Sequence, residues 1–464
     1  MVLVLRSIVW TRGIGLLLVL GVFAVEGACA AEEASARAAL PRRAVSRDQA
    51  VRVDAWVEHE LPRLLEIYRD LHAHPELSLE EERTARIVAK FLGQRGYRVE
   101  SGIGGHGVLG VLENGDGPTL LIRGDMDGLP VTEATGLPFA SRVRTMNADG
   151  VSVGTMHACG HDVHTTNLLG TAQLLASLQG SWQGTVVILA QPAEELGRGA
   201  LMMIEDGLFD RIPLPDHGIA LHVAGELPSG RIGFVSGWAA ANVDSVDITI
   251  HGRGGHGARP HQTNDPIVTA AHVISALQTI VSRRVDPSES AVVTVGSIHG
   301  GTKSNVIPDE VELALTVRSY TDEVRHQLLD GIREITRETC EAFGCPRPPD
   351  IAVRENNTPA MYNDPALVAH GVEVFRAFLG EGNVQAVAAT MTGEDFGRYT
   401  RRAGFPTFLY RLGSVEPSRW QAAEEGGEPL PSLHSSHFVP DAEATLQVGL
   451  RSMGRLALSL LGER

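Results

Sequence analysis

TVVILAQPAEE, residues 185–195, sets an unbroken apolar run against a proline and two adjacent carboxylates. Six residues rich in Val and Ile, with no polar alternation, read as a strand buried on both faces. Two runs of the same kind stand on either side, TLLIR at 119–123 and IALHV at 219–223. Between them, residues 165–179 repeat with a helical period: Leu168, Ala172, Leu175 and Leu178 share one face, and Gly180 lies just past the end. Further upstream, Trp56, Leu61, Leu64, Leu65 and Tyr68 mark a helix over 51–71. Ser78-x-x-Glu81 has the spacing of a capping box and predicts a second helix that closes at Gly96. Buried strands alternating with helices predict an α/β domain with a largely parallel, mixed sheet.

Past Gly237 the periodicity changes. Val246, Ile248 and Ile250 alternate with Ser245, Asp247 and Thr249, the pattern of a strand with one wet face. A helix at 265–284, strands at 291–298 and 311–319, a long helix at 322–343 and a short strand at 351–354 follow. That order, β-α-β-β-α-β, is the ferredoxin-like split motif. The pattern of the first domain resumes through 367–379 to the C-terminus. The expectation is one α/β domain in two parts, 51–240 and 354–464, interrupted by a compact α+β insert at 241–353.

A chain of 464 residues exceeds one ordinary core, and 43% hydrophobic with 21% charged residues is a globular composition. Arg6 and Arg12, the apolar run 13–25 and the Ala28-x-Ala30 ending read as a signal peptide over residues 1–30. The run is short for a bilayer span. Glu26 stands three residues before Cys29, where a lipoprotein signal wants an apolar residue. The expected product is exported, periplasmic or secreted, with no stable membrane span after processing. Residues 31–50 read as a solvated leader. The formal charge is −16, and processing removes two cations and one anion, leaving the chain slightly more acidic. That argues against nucleic acid and anionic membranes as partners. Cys159, Cys340 and Cys345 remain. They form no disulfide framework. Cys340 and Cys345 have the proximity to pair, or are two separate buried thiols.

Four places offer chemistry. MHACGHD at 156–162 places Cys159 and His161 two residues apart around a Gly, a spacing that lets one metal draw on both; the bland reading is a Cys and a His sharing a loop. Glu194 and Glu195 are costly side by side unless a positive charge is near. On an extended segment they point in different directions, so one can ligate metal while the other faces a metal-bound water as general base; otherwise they form a solvated acidic turn. His222 ends an apolar strand, where a lone His is more often a satisfied core residue. His434 sits far away in LHSSHF. Together Cys159, His161, Glu195, His222 and His434 supply mixed S, N and O donors, enough for two first-row metals with open positions.

With these residues in view, the chain resembles the aminoacylase/carboxypeptidase family of dinuclear metallohydrolases. It is most similar to the branch of hippurate hydrolases, N-acyl-amino-acid amidohydrolases and indole-acetyl-amino-acid hydrolases. The matching segments run in order over essentially the whole mature chain: DLHAHPE (70–76), RGDMDGLP (123–130), MHACGHDVH (156–164), QPAEE (191–195), LHV (221–223), GRGGHGARPH (252–261), SNVIP (304–308), MTGEDF (391–396) and LHSSHF (433–438). The resemblance implies a metallopeptidase-type catalytic domain with a lid and dimerisation insert. It implies two divalent metal ions per subunit, Zn, Mn, Co or Ni. Cys159 would bridge them, and His161, Glu195, His222 and His434 would be the other ligands. Glu194 would be the general base and Asp127 a supporting acid, while Asp125 stands where other branches carry a ligating His. His256 would reach the partner's site in a homodimer to stabilise an oxyanion, and Asn305 and Arg318 would hold substrate. The implied activity is hydrolysis of the amide bond of N-acyl-amino acids or related small amides. An exported carboxypeptidase or dipeptidase is the rival on the same scaffold. A silent binding protein is the rival from another class, and the intact Glu194 and ligand set count against it.

Overall fold

The apolar run at 185–190 lies inside an eight-stranded sheet of the computed structural model, which describes residues 43–147, 150–355 and 357–463. The strand order is Arg98–Ile103, Gly107–Asn114, Gly184–Gln191, Thr119–Asp125, His217–Pro228, Thr407–Val415, Ile232–Phe234 and Val384–Ala386. The four strands from Gly184–Gln191 to Thr407–Val415 run parallel. Antiparallel neighbours flank them on both sides, so the sheet is mixed. Every residue of Thr119–Asp125 is buried. Helices Arg47–Ala73, His161–Ser177 and Ala442–Leu460 pack together on one face. Met203, Leu208, Phe396, Tyr399 and Phe405 form an apolar cluster with Leu121, Val187 and Leu409 of the sheet. Cover on both faces is why these strands carry no polar alternation.

The register decides where chemistry can gather. Asp125 is level with Gln191, and Arg123 with Ala220. Two residues further along, Asp125 and His222 come level at the same ends of adjacent parallel strands. Helix His161–Ser177 starts there, and Glu194 and Glu195 follow the end of Gly184–Gln191. Open α/β sheets place ligands at the carboxyl ends of their strands.

The insert forms a second, antiparallel sheet in the order Ala291–His299, Glu310–Ser319, Asn242–His251, Asp350–Val353. Helices Pro266–Thr279 and Asp322–Ala342 cover it, which gives the ferredoxin-like arrangement. Its core is its own, with Val246, Ile248, Ile250, Val273, Leu277, Leu313, Leu315, Leu328 and Ile332.

Two local expectations are corrected. The first helix starts at Arg47, inside the stretch read as solvated leader, and its capping box is Ser46 with Gln49. The helix after Ser78 starts only at Glu82 and has no capping box at Ser78. Ser78 instead donates its hydroxyl to Asp127 Oδ2 at 2.6 Å. Glu81 accepts from the Leu79 and Ala193 amides, and the free amides of Arg83 and Thr84 donate to Glu76. The signal-peptide reading falls outside the described residues. Among those described, no helix is long and apolar enough to cross a membrane.

Candidate metal centre

Gly160 makes the centre possible. It caps helix His161–Ser177 at φ +77°, and a Cβ there would meet Val223 Cγ2 at 2.5 Å. The bend turns buried Cys159 and His161 toward the strand ends. Cys159 Sγ lies 3.6 Å from His222 Nε2 and 3.3 Å from His434 Nε2, although His434 is 275 positions away. His434 Nε2 is 3.4 Å from Glu195 Oε2, and His161 Nε2 is 3.8 Å from Glu195 Oε1. His434 takes φ +67° and Ala193, just before the Glu pair, takes φ +49°. Non-glycine residues there are strained, and such strain clusters at functional sites.

The imidazoles are poised by their second nitrogens. A carbonyl only accepts, so His222 Nδ1 must carry the proton it gives to Val223 O at 2.8 Å. His161 Nδ1 likewise donates to Asp127 O at 2.9 Å and faces Asp127 Oδ1 at 3.2 Å. Each ring therefore turns Nε2 inward, the arrangement that orients metal-binding histidines. His161 Nε2 and Glu195 Oε1 are buried with no hydrogen-bond partner among the described residues. Orphaned polar atoms cost about 1–3 kcal/mol each. Two of them facing each other amid thiol and carboxylate donors fit a cation. Donor atoms within 4.8 Å of one another form the sets Cys159/His161/His222, Cys159/Glu195/His434 and His161/Glu194/Glu195.

The electrostatics agree. Burial opposes charge on His161, but Asp125, the Asp127 hydrogen bond and Cys159 outweigh it and hold its pKa well above the ordinary value. Surroundings that negative would hold a metal ion as readily as a proton. Burial, then His164, keeps His222 neutral, with its pKa well below the usual range. Burial, then Glu195, pushes the Cys159 thiol up, so the thiolate requires a cation. Burial first, then Glu394, Glu195 and Asp395, raises Glu194 well above the carboxylate range.

The remaining candidates divide. Asp127 touches His161, the Ser78 hydroxyl and the Glu195 amide, so it braces two of the candidate ligands. Asp125 is taken up by Arg123 at 2.6 Å and by His164 at 2.6 Å. His164 Nε2 accepts from the Val223 amide, which leaves no free nitrogen for metal. Arg318 is half-buried and reaches Thr316 Oγ1 and the Met391 carbonyl, beside the 391–396 segment. Asn305 is exposed, and its carbonyl accepts from Gly257. His256 is exposed in a short hairpin that pairs Gly255–His256 with Val306–Ile307, and its Nδ1 accepts from the Ala258 amide at 3.0 Å.

Some residues had no role in the sequence reading. Arg123 is a fully buried cation held by Asp125, Glu394 and Asp395. Glu394 and Asp395 in turn lie within reach of Glu194. Glu81 anchors the strained Ala193 amide at 2.8 Å. The quoted segments RGDMDGLP and MTGEDF were the only sequence signal for the first three.

Residues 121–428 match peptidase family M20/M25/M40. The chain is 39% identical over 340 residues to the N-acetyl-L-cysteine deacetylase of Bacillus subtilis, covering 72% of this chain and 77% of that one. It is 34% identical over 399 residues to thermostable carboxypeptidase 2 of Saccharolobus solfataricus, covering 85% and 94%. A solved Bacillus subtilis structure, described as a dinuclear metal binding peptidase from the M20 family, superposes with a TM-score of 0.70 at 31% identity, covering 87% and 99%. The chain belongs to peptidase family M20/M25/M40.

Proposed function

We propose that this protein is a metal-dependent amidohydrolase that removes the acyl group from N-acyl-amino acids. The observation that carries the reading is the buried pair His161 Nε2 and Glu195 Oε1, 3.8 Å apart and without a hydrogen-bond partner among the described residues, set between Cys159, His222, His434 and Glu194. Cys159, His161, Glu195, His222 and His434 would hold two divalent ions. Bound there, the ions supply Lewis-acid charge that acidifies water and polarises the amide carbonyl. Glu194 takes the proton of the attacking water and passes it to the leaving nitrogen. Its carboxylate neighbours strengthen it as a base. Asp127 and the Val223 carbonyl fix the two inner imidazoles. Arg318 presents a guanidinium suited to the substrate carboxylate. Exposed His256 serves the neighbouring subunit's oxyanion in a two-fold homodimer. Residues 1–30 direct export and are removed at Ala30, and the N-terminal sequence of the secreted protein tests that step.

A relative named carboxypeptidase keeps a second reading in view. Rates with N-acetyl- and N-benzoyl-amino acids, measured beside free dipeptides on metal-restored protein, separate the two. The acyl-amino acids should be favoured by on the order of tenfold or more in kcat/KM. Preference for dipeptides would make this a peptidase. No turnover of either, with metal bound, would make it a binding protein.

A further inference from the structure

The insert's long helix, Asp322–Ala342, ends in a turn that brings two cysteines together. Gly344 takes φ +67°, which a side chain resists. The Gly344 amide donates to Glu341 O at 3.0 Å, and the Cys345 amide donates to Cys340 O at 2.9 Å. These are the two bonds of a Schellman motif, whose geometry puts the side chains at its first and last positions in contact. Here both are thiols. Cys340 is buried in the insert's core, and Cys345 packs partly buried against the same core. Burial, then the adjoining Cys345 thiol, pushes Cys340 up to about 12. The turn also holds something else. Asn264 Nδ2 donates to Phe343 O at 2.7 Å and to Gly344 O at 3.1 Å. The Asn264 backbone pairs with Arg253, closing the base of the loop that carries His256.

We infer that Cys340 and Cys345 form a thiol–disulfide site that staples the end of this helix and, through Asn264, firms the base of the His256 loop. The step is exchange with a disulfide-bearing oxidant. Cys345, the more accessible sulfur, attacks the oxidant and releases one thiol. Cys340 then attacks the mixed disulfide and releases the second thiol, so two protein thiols become one disulfide as the oxidant is reduced to two thiols. The site stands on the helix-end geometry and does not depend on the amidohydrolase reading.

The test equilibrates the full-length protein in reduced and oxidised glutathione, quenches with acid, alkylates and digests with trypsin. Arg347 precedes a proline, so residues 338–354 remain one peptide with both cysteines. In oxidised buffer this peptide should be lighter by two hydrogens and carry no alkyl group, and Cys345→Ser should abolish that species. Backbone hydrogen exchange over 253–264 should slow several-fold in the oxidised protein. Two alkylated cysteines, or glutathione stopped on Cys345 without closure, would overturn the site. Closure with unchanged exchange at 253–264 would overturn the link to the His256 loop.

Discussion

At the residue scale, the candidate centre is a set of donor atoms turned toward one another. Cys159 is the plainest case: burial and then Glu195 push its thiol up, and a bound cation would offset both. Cys159→Ala should therefore lower tightly bound metal by on the order of tenfold or more, read by elemental analysis after gel filtration, with the helical spectrum unchanged. Unchanged metal content would remove Cys159 from the ligand set. Glu81 makes a different prediction. One of its oxygens accepts from both Leu79 and Ala193, and Ala193 is the strained residue that aims Glu194 and Glu195. Glu81→Ala strands two amides and should cost about 1–3 kcal/mol in stability, with kcat falling as the pair loses its aim. Glu81→Gln keeps a neutral acceptor, in line with a carboxyl whose pKa burial and then Asp127 raise to about 7. It should restore both stability and kcat, measured by thermal melts and initial rates. Equal damage from Ala and Gln would show that the charge, not the acceptor, matters.

At the scale of elements, His72 ties helix Arg47–Ala73 to helix His161–Ser177. Its Nδ1 meets Asp162 at 2.7 Å and its Nε2 meets Glu133 at 3.1 Å, all buried. Burial disfavours the imidazolium, but the hydrogen bonds His72 donates to Asp162 and Glu133 override it and raise His72 to about 10. A folded pKa above the unfolded one stabilises fully below the unfolded value, near 6.5, and the contribution fades as pH rises through about 10. Wild type should lose stability across that alkaline window relative to His72→Gln, compared by denaturant melts at a series of pH values. Parallel curves would refute the charged His72. The elements themselves were legible to different depths. Residues 119–123, 185–190 and 219–223 could be read because burial on both faces leaves one kind of residue. The ferredoxin-like insert could be read because its wet face forces alternation. Strands Ile232–Phe234 and Val384–Ala386 could not, since three residues carry no period. Ser78-x-x-Glu81 was misread because capping spacing is a local signal. The partners that claimed those side chains, Asp127 and Ala193, lie far along the chain. The candidate donors could be listed from their residue types, but only the ordered motifs of the resemblance joined His434 to the rest, because Cys159 and His434 meet through the fold.

At the scale of the whole molecule, the candidate metal centre sits at the strand ends of the large sheet, and the insert carries His256 in an exposed hairpin. In a closed dimer the exchange would be reciprocal. His256→Ala and Glu194→Ala homodimers should each be nearly inactive. Allowed to exchange subunits, they should recover roughly a quarter of wild-type activity, since about half the dimers are mixed and each has one complete site. No recovery, with exchange proven by labelled subunits, would place His256 in its own chain's chemistry or outside the reaction. The central claim is that the cluster binds metal and that Glu194 moves the proton. It is tested most directly by measuring metal content and turnover of an N-acyl-amino acid on one sample of Glu194→Gln, beside wild type. Gln matches Glu in shape but cannot take a proton. Both proteins should hold two ions per chain, and the variant's rate should be lower by about 10²–10⁴. A near-wild-type rate with metal in place would contradict it.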